Sequence, residues 1–92
     1  MNKYKIINIV HSGRKGIRGE KVTQSKYEDM IGCIAYIDVD SIKPFNSVHM
    51  ILKGHPNYDW WDTSILLAFS LNKGHMEIET ANSIYILDEI IE

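Results

Sequence analysis

A chain of 92 residues that is 45% apolar and 24% charged forms one globular domain, too short for two cores and too apolar for global disorder. Its net charge of −2 argues against a general nucleic-acid binder, which carries a basic excess. A single cysteine, Cys33, excludes an intramolecular disulfide, and no apolar run is long enough for a signal peptide or a bilayer span, so the expectation is a soluble cytoplasmic protein with no membrane partner.

Tyr4 to His11 is rich in isoleucine and valine and predicts a strand, with apolar residues on both faces that suit a strand covered on both sides. Next comes Ser12-Gly13-Arg14-Lys15-Gly16-Ile17-Arg18-Gly19, a loop with a glycine at every third position and cations between them. Glycine admits positive φ and close backbone approach, and arginine offers planar, bidentate donors for phosphate or carboxylate. The segment reads either as an anion-contacting loop or as a flexible basic turn. It is neither a P-loop nor a dinucleotide-binding turn, because the glycine spacing differs and no helix starts at Gly19.

Glu20 to Gln24 predicts a short strand through Val22. Ser25-Lys26-Tyr27-Glu28 matches a capping box with Ser25 at N-cap, opening a helix of one or two turns that Gly32 ends. Cys33 to Val39 and Phe45 to Leu52 predict two further strands, separated by a turn at Asp38-Val39-Asp40-Ser41 and by Pro44. Lys53 to Asp59 gathers glycine, proline and asparagine into a second long loop.

Thr63 to Leu71 fits a helix capped by Asp62 and closed by Gly74, or an alternating strand; the strand is preferred because residues 76–87 are strand-like. Asn72-Lys73-Gly74 predicts a hairpin turn, Met76 to Thr80 alternates apolar with acidic residues, and Ser83 to Leu87 completes a C-terminal meander after a turn at Ala81-Asn82. The predicted fold is mainly β: a small antiparallel barrel or strongly twisted sheet of SH3-like size, with a C-terminal β-meander and one short helix.

Ligands of such barrels sit in the long loops between early strands, so the candidate ligand-binding residues are Arg14, Lys15 and Arg18 of the glycine loop with Trp60 and Trp61. Adjacent tryptophans on an extended segment point to opposite faces, so one enters the core while the other stays available for stacking. An aromatic ring beside a guanidinium makes a nucleotide pocket, stacking for the base and charge for the phosphate. His11, His49, His55 and His75 show no metal-ligand spacing with one another or with Cys33, and no nucleophile signature is present. No metal, no cofactor and no enzymatic activity are expected. The early cations Arg14, Lys15, Arg18 and Lys21 against the late Glu77, Glu79, Asp88, Glu89 and Glu92 favour a charge-complementary partner or a second copy.

Trp61-Asp62-Thr63-Ser64 together with Glu79-Thr80-Ala81-Asn82-Ser83-Ile84-Tyr85-Ile86-Leu87 resembles the end of small β-rich proteins of phages and prophages, many of which close the sheet with a T-x-N-S-x-Y-x-L strand. The resemblance covers the C-terminal third. It implies a phage accessory protein, a group that includes inhibitors of bacterial anti-phage defence. Two activities are expected from that resemblance. One is a homo-oligomeric sponge that sequesters a cyclic-nucleotide-type immune signal without chemistry. The other is an anti-CRISPR-like inhibitor that docks its acidic C-terminal face on a host defence protein.

Overall fold

Strand β1 (Asn2–His11) buries Tyr4, Ile6, Ile9 and Val10 and leaves Ile7 exposed. A computed structural model of the chain describes residues 2–13 and 17–91, and in it the register of β1 shifts between Ile6 and Asn8. That bulge lets Ile6 and Ile9, an odd number of residues apart, both enter one core. The two-sided covering expected for this strand is therefore not realised; the bulge replaces it.

Strands β2 (Ile34–Ile37), β3 (Ser47–Lys53), β4 (Trp60–Asn72), β5 (His75–Thr80) and β6 (Ser83–Glu89) complete the sheet. Each pairs antiparallel with its sequence neighbours, and β6 returns to β1, closing a six-stranded barrel. The mainly β, small antiparallel barrel with a C-terminal meander is thus the fold. Alternation sets what points inward: Val48, Met50 and Leu52 from β3, Met76 and Ile78 from β5, and Tyr85 and Leu87 from β6 are all buried.

The ambiguous segment at 63–71 is strand, and β4 begins earlier, at Trp60. It changes neighbour along its length: Trp60 to Ile65 pair with β3, and Leu66 to Asn72 pair with β5. Lys73 (φ 52°) and Gly74 (φ 81°) make the two-residue β4–β5 turn, with Asn72 opposite His75. Two successive positive φ values match the right-handed twist of a hairpin, the conformation the Asn-Lys-Gly sequence anticipates.

Two local expectations are corrected. Residues 20–24 form no strand; Lys21 makes one bridge to Val10, while His11 N–H donates to the Glu20 carbonyl and Val22 N–H to that of Ile9. The segment is held as a strap over one edge of β1. Helix α1 (Ser25–Glu28) is a single turn whose N-cap is Gln24, with no side-chain cap bond, so the capping box at Ser25 does not form. Gln24 is fixed in extended conformation at the end of the strap, which moves the helix start one residue ahead of the box. Gly32 ends the turn at φ 90°, and its N–H donates to the Ile6 carbonyl.

Candidate functional site

The strap, α1 and the β5–β6 turn meet over the end of β1. They enclose a cleft of about 380 Å³ lined by His11, Val22, Gln24, Lys26, Tyr27, Asn82 and Ser83. Backbone bonds and one side-chain bond fix its walls. The strap is bonded to β1, and Ser12 ties β1 to the β5–β6 turn through its Oγ donating to the Ala81 carbonyl at 3.0 Å. Its lining residues thus carry one ammonium, one imidazole, two carboxamides, the Ser83 hydroxyl and the Tyr27 phenol.

Tyr27 is the near end of a row of rings. It meets Trp61 edge-on at 5.4 Å, Trp61 meets Tyr58 at 5.4 Å, and Tyr58 meets His55 at 5.0 Å. The Lys26 ammonium lies 5.3 Å from the Tyr27 ring centre and 5.9 Å from that of Trp61, within cation–π range of both. His55 Nε2–H donates to the Lys26 carbonyl at 3.0 Å, while its Nδ1 accepts from Asn57 N–H and Tyr58 N–H. Those bonds place a ring hydrogen on Nε2 and pin the loop at 55–59 to α1. Beneath the row, Trp61 Nε1–H donates to Tyr85 Oη at 3.1 Å, and burial pushes the Tyr85 phenol up.

Of the expected site residues, Trp60 and Trp61 line one open cleft of about 370 Å³ with Asn57, Tyr58, Asp59 and Asp62, and Arg18 is not part of its lining. Trp61 is half-buried against the core and supports Tyr27, whereas Trp60 is 58% exposed on the other side of β4. Trp60 stands beside His49, whose Nδ1 is 2.6 Å from Asp62 Oδ1, in an open cleft of about 480 Å³ that also includes Ile51 and Asp59. Two carboxylates flanking that ring disfavour a phosphate there. Arg18 is bound in a bidentate pair to Glu79, at 2.6 and 3.0 Å, and also donates to the Ser12 carbonyl. The pairing holds the Glu79 carboxyl below its usual value and raises Arg18. Arg14 and Lys15 lie outside the described residues.

Sequence reasoning missed Lys26, Tyr27, His11, Gln24 and Asn82. Their local signals are those of capping, strand and turn residues, and only barrel closure brings positions 11, 24–27 and 82 together. Among the described residues no group of three or more His, Cys, Asp or Glu side chains lies in a metal-binding arrangement. No helix among them is long and apolar enough to cross a membrane.

Fold and site together define a small closed antiparallel barrel with a polar, ring-lined cleft at one end. Compared with family models, curated proteins and solved structures, the chain matches none.

Proposed function

We propose that this protein is a non-enzymatic binder that sequesters a nucleotide-derived immune signal, the activity of a phage anti-defence protein, and that the cleft on Lys26 and Tyr27 holds it. One observation carries the reading: Lys26, Tyr27, Gln24 and Asn82 line one cavity of about 380 Å³, with the Lys26 ammonium over the Tyr27 ring. The ammonium suits a phosphate, the Tyr27 ring suits a base face, and the carboxamides suit base or ribose edges. The cavity volume lies within the range of small-molecule sites. Arg18 is left out of the ligand set because Glu79 already satisfies it.

Thermal denaturation with cyclic dinucleotides and cyclic ADP-ribose isomers tests the proposal. A ligand at about 100 times its Kd adds roughly 2.7 kcal/mol, a shift of about 10–20 °C for a chain of this size. Lys26→Ala and Tyr27→Ala should abolish the shift, and Arg18→Ala should keep it. Heat release should return the ligand intact; a cleaved product would mean an enzyme. No shift with any member of the panel defeats the reading.

A second reading, an inhibitor that docks on a host defence protein, is favoured by the acidic side chains of Glu77 and Asp88, 49% and 56% exposed on β5 and β6. Charge reversal of Glu77 and Glu79 separates the two. It should spare ligand binding under the first reading and abolish protein binding under the second.

A further inference from the structure

Among the described residues, strand β4 has a partner strand on one side only beyond Leu66. Residues Leu66 to Asn72 pair with β5, whereas β3 ends opposite Ile65. On the β3 side, Phe45 N–H donates to the Leu66 carbonyl and Leu66 N–H to the Asn46 carbonyl. Among the described residues no further backbone bond reaches that edge. The matching edge of β1 is closed by the strap and by Gly32 and Cys33. No described residue closes the β4 edge in the same way.

Its chemistry is unusual for an uncovered edge. Edges of monomeric sheets are guarded by charges, prolines or bulges that turn them away. Thr63 to Asn72 has no charge and no proline; the shift between Leu66 and Ala68 gives way to five regular positions. Ile65, Leu67, Phe69 and Leu71 are 44%, 50%, 36% and 42% exposed, and Phe45, held at φ 63°, is 72% exposed beside Leu66. A left-handed conformation is a strained one for a bulky side chain, and here it leaves an unburied phenyl ring at the rim. Ile42, Pro44, Leu66, Leu67, Ala68 and Phe69 enclose a groove of about 270 Å³ along the edge.

We infer that this edge of β4 pairs antiparallel with the same edge of a second copy, forming a symmetric dimer through a continuous sheet. The segment is self-complementary about Ser70. That register sets Phe69 opposite Leu71 of the second copy, on the face where Phe69 and Leu71 already stand opposite Ile78 and Met76. Ala68, Ser70 and Asn72 then meet on the other face, where they are small or uncharged, and no like charges are placed opposite one another. The register uses only residues past the bulge. Phe69 and Leu71 lie within that register and Phe45, Ile65 and Leu67 flank it; at roughly 200 Å² for a full large apolar side chain, the five exposed groups together offer at most about 500 Å² per copy, or about 1,000 Å² for the pair, the floor for a specific interface. A charge-free, two-fold-compatible edge selects a second copy over a charged partner.

Sedimentation equilibrium of the full chain across about 1 μM to 1 mM tests the inference, with circular dichroism confirming that each variant folds. A reversible dimer is expected. Ser70→Glu, on the outer face, should raise its dissociation constant at least about tenfold by placing like charges opposite each other. Leu67→Lys provides a second disruption on an already half-exposed side chain. Ser70→Cys should cross-link two chains under mild oxidation, because Ser70 faces itself across the two-fold. A monomer throughout the range overturns the inference, as does a dimer that neither charge variant weakens and Ser70→Cys does not cross-link. A monomer that captures an added uncharged extended peptide on the edge assigns it to a foreign strand and equally overturns the dimer.

Discussion

Trp60 and Trp61 differ in what they cost to remove. Trp61 bridges Tyr27 and Tyr58 and donates to Tyr85, so Trp61→Ala should lose about 2–3 kcal/mol in urea denaturation, below the range for a fully buried ring. Trp60 is mostly solvent-exposed, so Trp60→Ala should stay within about 0.5 kcal/mol of wild type. Tyr4 is fully buried, and its hydroxyl has no hydrogen-bond partner among the described residues. Tyr4→Phe removes that unsatisfied group and should be neutral or stabilising by up to about 1 kcal/mol. His75 is held above the ordinary imidazole value by its hydrogen bond to Asp88 first and to Glu77 second. The protonated ring is the paired form, so its contribution is complete below about pH 6.5 and fades as pH rises through the raised folded value. The melting-temperature gap between wild type and His75→Gln should therefore be widest near about pH 5.5 and narrow by about pH 9. A gap that widens with pH would contradict the pairing.

At the scale of elements, turn chemistry gives the sharpest expectation. Lys73 occupies a left-handed position at φ 52°, where asparagine or glycine is favoured. Lys73→Gly should stabilise the hairpin by roughly 0.5 kcal/mol. Gly74→Ala should destabilise it, because φ is +81° and the added Cβ would lie 3.3 Å from Glu89 Cβ. These elements were legible in the sequence because their signals are local. Met76 to Thr80 alternates, Asn72-Lys73-Gly74 supplies the positive φ values, and the strand-like residues 76–87 favour strand over helix for 63–71. The capping box at Ser25 misled because the strap residues Glu20 and Val22, bonded to β1, decide where α1 starts. The bulge at Ile7 was also invisible, since bulges are set by register with a strand far along the chain.

Across the whole molecule, what the sequence concealed is what closure creates. The cleft joins His11, Lys26, Tyr27 and Asn82 only after β6 pairs with β1, placing His11 opposite Ser83. The basic loop resembles a ligand site because its cations are contiguous, yet Arg18 is bonded to Glu79, which is 61 residues away in the chain. The same long-range closure bears on kinetics. Barrel formation waits on β1–β6 pairing, so refolding should take milliseconds to seconds rather than microseconds, as monitored by Trp61 fluorescence in stopped flow.

The one-sided pairing of β4 also imposes a pattern on solvent exchange. Successive amides of a strand point to opposite sides, so between Leu67 and Asn72 only every other N–H is protected by β5. Deuterium should enter this segment in an alternating sequence of fast and slow sites in dilute solution. At concentrations where two copies meet, the fast sites should slow until the alternation disappears. A single strand then records, amide by amide, whether the molecule is alone.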